Sequence, residues 1–365
     1  MSIFELNNIR RDADFDNSKI RKGSPVVEVF NALVNGESLE RFGKTADKAV
    51  AYIKGLGERA ENNDPVAISE LNTIRRFIIE APVMEEIRML SIFGTYQNVG
   101  FDESIEREVY KHAGERSRVQ AANGDVVFPH LVRDTYPVPT FTVSGGYAVD
   151  YRRVALGDMS KENEGLAQVR IDILNRAKAE IIDRVYKAIK AATGVKYIAE
   201  MAGLTKAGVD DVLNKVRRFG KPTVVGDYAM ISQFSQWAGY VGAINSNTIT
   251  GISQKAMDEI QQAGALSMYN GAVLSEMDNP YDETKLNAAG DNFDTMLPQG
   301  LAFVLPAGAR SPIATWTKGG LTSCTGVDVK SGHNLARFDI EVACDVAKGR
   351  EHEIGVLRDT NLSPL

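Results

Sequence analysis

Histidine, cysteine, clustered acids and glycine-flanked serine or lysine are the residue types that could do chemistry in this chain. The four histidines are His112, His130, His333 and His352, and none belongs to an HExxH pair, the spacing that turns two imidazoles onto one helix face. Glu351-His352-Glu353, read as a strand, sends its two acids to the face opposite the histidine, so a solvated strand explains it better than a metal site. Cys324 and Cys344 lack the CxxC spacing of zinc or redox centres and read as small buried hydrophobes. Gly43-Lys44-Thr45 ends like a phosphate loop, but Ser38 stands where the first glycine is required, and no strand precedes it. Ser144 lies in Val-Ser-Gly-Gly, a turn pattern rather than a GxSxG elbow. Asp278, Asp282, Asp291 and Asp294 miss the EF-hand spacing and suit a polar loop, while Trp237 and Trp316 sit in apolar contexts that need no ligand. No acid, base and nucleophile converge. The sequence therefore assigns no catalytic, cofactor or metal residue, and the expectation is a protein that is not an enzyme.

The elements that would have to position any site are more informative. A chain of 365 residues with 44% hydrophobic composition can bury a large core and is expected to form more than one compact unit. A formal net charge of -6 argues against a dedicated nucleic-acid binder, whose footprint would be basic. Two cysteines suit a reducing cytoplasm. The start MSIFELNNIRRDADFD lacks the order of a secretion signal, and no apolar run reaches the ~18 residues of a membrane span.

The dominant element is a helix expected over 160–194. Leu166, Val169, Ile173, Ala177, Ile181, Val185 and Ile189 recur every three or four residues, and Leu174, Ile182 and Tyr186 widen the stripe to suit a sheet. The opposite side predicts ion pairs of Asp172 with Arg176, Glu180 with Arg184 and Asp183 with Lys187. Ser160 caps the start, Glu162 and Glu164 meet the positive end of the dipole, and Thr193-Gly194 stops the helix. Before it, residues 1–24 read as an extended arm in which Arg10, Arg11, Lys19, Arg21 and Lys22 alternate with aspartates. Helices follow over 26–34, 45–55, 65–79 and 82–93.

From residue 102 the period changes to two, with turn signals at Asn123-Gly124 and Gly145-Gly146. Pro129, Pro137 and Pro139 exclude a central place in a sheet, leaving edge strands or a free ribbon. A lone two-stranded ribbon is marginal in water, so this one requires a partner surface, for which another subunit is the expectation. Removing 110–150 should then leave a soluble subunit unable to assemble. Residues 205–310 alternate helix and strand as a second unit, and 314–357 return to antiparallel strands suited to lie beneath the long helix.

That succession resembles the major capsid proteins of tailed bacteriophages of the Hong Kong 97 type, a fold shared with encapsulin shells. TFTVSGGYAVDYRRVALGDM is similar to the second strand of the family's E-loop and its joint, and GKPTVVGDYAMISQF to the entry into the axial (A) domain. GALSMYNGAVLSEMDNPY and LPQGLAFVLPAGARSPIATW resemble a later strand pair of that domain and the return strand. The resemblance covers roughly residues 85–357 and implies an α+β fold with an N-terminal arm, an extended β-hairpin E-loop, a long spine helix, a peripheral (P) domain and an axial domain. It places an arm and helical segment at 1–101, the E-loop ribbon at 102–157, the P-domain with its spine helix at 158–204, the A-domain at 205–312 and P-domain return strands at 313–365. It further implies self-assembly into pentamers and hexamers of an icosahedral shell around double-stranded DNA held without sequence-specific binding. Portal and scaffolding or decoration proteins would be partners, with assembly in the host bacterial cytoplasm and a final location in the virion. Arg116, Arg118 and Arg133 are the candidate intersubunit contacts, although a solvated strand face accounts for each taken singly. An encapsulin-like compartment is the alternative, and a cytoplasmic α/β enzyme a further one. The lysine–asparagine cross-links of some relatives are not carried over, because Lys111 has no identifiable asparagine or acidic partner.

Overall fold

The computed structural model describes residues 24–34, 37–89, 94–113, 119, 130–157, 160–237, 264–287, 290–307, 311–327 and 334–362. Its centre is the expected long helix, here α5 (Ser160–Ala191), whose 32 residues span ~48 Å at ~1.5 Å each. All ten positions of the predicted stripe are buried. The eight Leu, Ile and Val side chains among them contribute on the order of 10–25 kcal/mol of gross burial, against ~0.3–0.5 kcal/mol for each exposed helix ion pair. Packing therefore decides where this helix lies. Two of the ion pairs form as expected, Asp183–Lys187 at 2.6 Å and Glu180–Arg184 at 3.9 Å. The third differs: Arg176 reaches forward to Glu180 at 3.9 Å, and Asp172 accepts from Gln168 at 2.8 Å.

The stripe lies on a four-stranded sheet ordered β1-β12-β13-β4, formed by β1 (Thr95–Val99), β4 (Thr140–Val149), β12 (Ile313–Val327) and β13 (Asn334–Val346). Two of the three expected return strands, β12 and β13, thus supply the sheet beneath the helix, whereas the third, expected over 351–356, gives way to a strand over 355–359 that belongs to another sheet. Two local expectations change here. The stretch 140–149, read as a ribbon strand, is an edge strand that pairs with β13 from Thr140↔Ala343 to Val149↔Asn334. Gly145-Gly146 is accordingly not a turn. A Cβ on Gly145 would sit 2.8 Å from Ile173 Cγ1, so glycine is what admits α5 this close to the sheet. Deleting 110–150 would remove this edge strand along with the ribbon and so would not leave the core intact.

A second, six-stranded sheet runs β5-β14-β11-β6-β8-β7. Its strands are β5 (Tyr197–Met201), β6 (Lys221–Gly226), β7 (Met268–Tyr269), β8 (Ala272–Glu276), β11 (Leu301–Ala307) and β14 (Gly355–Asp359). Alternation along β11 serves two cores. Leu301, Phe303 and Leu305 face the core that contains α5, whereas Ala302 and Val304 face a core with Val209, Val212 and Leu213 of α6 (Lys206–Val216). Asn270 and Gly271, both at positive φ, make the β7–β8 turn. Glu351-His352-Glu353 forms a short 3-10 helix rather than a strand, and His352 packs edge-on against Phe219.

The helices ahead of β1 belong to the same core. They are α1 (Pro25–Val34), α2 (Lys44–Glu61) and α3 (Pro65–Met89). Phe30, Ile53, Leu56, Leu71 and Ile74 join Ile173 and Phe338 in one cluster. The local pattern predicts one helix over 65–79 and another from Pro82, yet α3 runs through as a single 25-residue helix. Proline removes one backbone donor at a cost of ~3 kcal/mol, less than the burial of Leu71, Ile74, Ile79 and Val83 on the same helix can supply. The short helix α4 (Tyr151–Leu156) leads into α5. Among the described residues no helix is long and apolar enough to cross a membrane.

Candidate assembly surface

Beside the short pair β9 (Tyr281–Leu286) and β10 (Phe293–Thr295), a longer two-stranded sheet lies outside both cores among the described residues, made by β2 (Glu106–Ala113) and β3 (His130–Pro137). Its register runs from Glu106↔Pro137 to Ala113↔His130. Pro137 and Pro139 bracket Val138, whose N–H donates to the Ile105 carbonyl at 2.9 Å, so the ladder ends where the chain enters the larger sheet. One face of the ribbon's base is covered, with Ile105, Arg107 and Val109 buried at every second residue. Ile105 and Val138 pack with Ala314, Trp316 and Ala343 in a small separate cluster. Farther out, Tyr110, Leu131 and Val132 are exposed. Leu131 and Val132 are sequence neighbours and so point to opposite faces, which leaves apolar surface on both sides of the ribbon.

Arg133, a candidate contact residue from the sequence, is on β3 with its side chain 58% exposed, and it pairs with Glu108 of the facing strand. Exposed pairs of this kind contribute ~0–1 kcal/mol, so the guanidinium can exchange Glu108 for another acid at little cost. Arg116 and Arg118 lie outside the described residues, as do His333 and Asn123-Gly124.

At the ribbon's base sits a polar cluster that sequence reading missed. The Arg107 guanidinium donates to the Asp345 carbonyl at 2.6 Å, to Asp345 Oδ2 at 3.0 Å and to the Pro312 carbonyl at 2.7 Å. Tyr136, directly opposite Arg107 in the ladder, donates its hydroxyl to the same Asp345 Oδ2 at 2.7 Å and accepts from the Lys348 N–H at 3.2 Å. Burial, with the Asp345 carboxylate accepting its proton, pushes the Tyr136 hydroxyl up to about 12, so it stays a donor throughout the neutral range.

A second missed cluster is sealed inside. Arg75 of α3 is wholly buried and forks onto Glu162 of α5 at 2.9 and 2.8 Å. Asn72 accepts from Arg75 at 3.2 Å, Tyr147 donates to Glu162 at 2.7 Å, and the guanidinium lies 5.7 Å from the Tyr151 ring. Burial alone would lower the Arg75 pKa, but the Glu162 carboxylate more than reverses this, and the net shift is upward. The run Ile74-Arg75-Arg76-Phe77 was the available sign, since an arginine inside an apolar helical stretch needs a partner. The remaining sequence candidates do not converge. Gly43-Lys44-Thr45 opens α2, Ser144 accepts from Arg337, Asp282 accepts from Thr284, and Cys344 is buried while Cys324 is exposed.

Residues 5–358 match the family described as "YonB: SPbeta prophage-derived putative capsid protein YonB". The chain belongs to this capsid protein family. A search of curated proteins finds no significant match. Among solved structures, a virus-like particle from Pyrococcus furiosus superposes with TM-score 0.42 at 9% identity, covering 77% of this chain and 97% of its own. The mature capsid of bacteriophage PhiM1 gives 0.44 at 12% identity over 73% of this chain and 86% of its own. The holo-SrpI encapsulin complex from Synechococcus elongatus PCC 7942 gives 0.43 at 14% identity over 76% and 89%. These superpositions are partial, and the assignment rests on the family match. The α+β class and the order of helices, ribbon, spine helix, mixed block and return strands expected from the sequence are those of this capsid-family chain.

Proposed function

We propose that this chain is the shell-forming subunit of a tailed-phage head. In this reading it assembles through pentamers and hexamers into an icosahedral particle that encloses double-stranded DNA, and its role is structural rather than catalytic. The observation that carries the reading, beside family membership, is the β2–β3 ribbon, a two-stranded sheet with apolar side chains exposed on both faces. Such a ribbon gains stability by lying on a second copy of the chain, and a heterologous contact of that kind, repeated by rotation, closes rings. Arg133 exchanging Glu108 for a neighbour's acid fits this role, and Arg116 and Arg118 extend the same proposal. The ribbon is the E-loop in this reading; α5 with the four-stranded sheet corresponds to the peripheral domain and the six-stranded sheet to the axial domain, which then also takes β5 and β14 from the segments 158–204 and 313–365 expected in the peripheral domain. The net charge of -6 is compatible with a wall that surrounds DNA without gripping it. Portal, scaffolding or decoration proteins would be additional partners, with assembly in the host cytoplasm.

Negative-stain microscopy of the expressed full chain tests the proposal, with closed shells or their hexamers expected. A uniform monomer or dimer would overturn it. Nuclease-protected DNA in particles made during infection separates a virion from a compartment for protein cargo. Replacing 108–135 by a short turn spares β4 and should leave a folded subunit that forms no particles.

A further inference from the structure

We infer that the Arg107–Asp345–Tyr136 cluster is the joint that sets the angle of the β2–β3 ribbon, making these three the positioning residues of assembly. This rests on the shell reading above and adds the device that aims its contact arm. Arg107 and Tyr136 face each other across the ladder, one on each ribbon strand, and both grip a single acid, Asp345 of β13. The second arm of the Arg107 fork takes the Pro312 carbonyl, just ahead of β12, and the Tyr136 hydroxyl takes the Lys348 N–H, just after β13. Strand β2 is thereby tied both to the entry of β12 and to the end of β13, and strand β3 to the end of β13. Pro312 also accepts from the Ala347 N–H at 2.8 Å, which holds that junction closed. Aromatic contacts fill the remaining sides: Arg107 lies 5.9 Å from the Trp316 ring, and the Lys348 ammonium 4.1 Å from the Tyr136 ring.

Leverage makes a joint necessary at that point. Six residues of β2 lie beyond Arg107, which is ~20 Å of strand at ~3.3 Å each. A tilt of ~10° at the base moves the end of that span by ~3.5 Å, more than a hydrogen bond tolerates, so a loose base would blur every contact beyond it. The exposed Arg133–Glu108 pair does not correct this, because it bridges only the ribbon's own strands. The angle must be fixed where the ribbon meets the sheet. The apolar contacts of Ile105 and Val138 seal that place, while the fork and the hydroxyl give it direction.

The test uses the full chain with Arg107→Lys, which keeps the charge and loses the fork, and Tyr136→Phe, which removes only the hydroxyl. Melting of dissociated subunits is read beside the yield and diameter distribution of particles by electron microscopy. The expected result is subunits that melt close to wild type while uniform shells fall at least tenfold, replaced by particles of mixed diameter or open sheets. A purely structural role would lower the melting temperature and leave the diameter of whatever assembles unchanged; that result overturns the inference. Wild-type yield and diameter in both variants also overturns it and leaves the shell reading standing. Should Arg107→Lys fail to fold, Tyr136→Phe decides by the same criteria. Absence of particles from the wild-type chain sinks the shell reading, and the inference with it.

Discussion

Glu162→Gln is the substitution whose cost is best defined by the geometry. The Arg75 side chain is 0% exposed and its Glu162 partner 4%, so neither charge has water to fall back on. The substituted glutamine would keep the shape but carry no charge, and its amide group would turn a donor toward a guanidinium or a tyrosyl hydroxyl that both need acceptors. Removing one member of a buried pair costs about 3–5 kcal/mol, because the other charge is left uncompensated. With a urea slope of roughly 3 kcal/mol/M, the upper range for small proteins, the unfolding midpoint of dissociated subunits should fall by about 1–1.7 M. The control is Glu61→Gln, whose partner Arg152 has an 80% exposed side chain and whose loss should cost ~0–1 kcal/mol. A third variant isolates the cause. Replacing Arg75 by Met, Glu162 by Leu and Tyr147 by Phe together removes the ion pair and the hydroxyl bonded to it, leaves Asn72 without its Arg75 donor, and should recover part of the loss. If Glu162→Gln shifts the midpoint no more than the Glu61 control, Arg75 is reaching solvent and the seal between α3 and α5 does not exist.

Gly145→Ala should destabilise by about 1–3 kcal/mol in the same urea assay, because its Cβ would press on Ile173. Gly55→Ala, inside α2 with nothing within 4 Å of the added carbon, should be neutral or stabilise by up to ~1 kcal/mol. Asp359 titration supplies a pH test: burial raises its pKa, but the Asn361 N–H, the Gln233 amide and the Gly203 N–H outweigh this, and the net shift is downward. A depressed carboxylate stabilises the fold above its unfolded pKa of ~3.9 and loses that contribution as pH falls through the lower folded value. Asp359→Asn should therefore be weaker than wild type near pH 7, and the gap should close progressively as pH falls below the unfolded value of ~3.9 in a series of urea midpoints. In a thiol-labelling experiment on native subunits, Cys324 should react and Cys344 should not, since burial pushes the Cys344 thiol up to about 12. Rapid labelling of both thiols without unfolding would contradict the packing of β13.

What the sequence made legible follows interaction range. The α5 stripe was readable to the residue, because one face buried over a long helix writes a single period into the chain. The ribbon was readable because prolines at 137 and 139 exclude it from a sheet interior. Errors arose where a partner far away in sequence overrides a local rule. The glycines at 145 and 146 have the composition of a turn, and only the approach of Ile173 and Ala336 shows why a strand needs them. Pro82 signals a break, yet the helix around it is held by the core it shares with α5. Both polar clusters were invisible for the same reason. Glu162 is 87 residues from Arg75, and Asp345 is 238 from Arg107. Nothing in local spacing selects those acids from the other Asp and Glu residues of the chain.

The two clusters differ in what they can contribute to a shell. Arg75–Glu162 is closed off from water and ties α3 to α5 within the core. Arg107–Asp345 is part-buried and sits where the body meets an element whose outer apolar residues Tyr110, Leu131 and Val132 stay exposed. Docking a loosely held ribbon onto a neighbour would cost about 0.5–1.5 kcal/mol for each side chain it must immobilise, repeated at every subunit. A ribbon already aimed by its base has had part of that freedom removed during folding. In the proposed shell the association step would then keep more of the energy from covering Tyr110, Leu131 and Val132, and a wrongly angled neighbour could not be accommodated by bending. On the joint proposed above, the main effect of the fork at Arg107 would fall on how uniformly copies of the chain fit together.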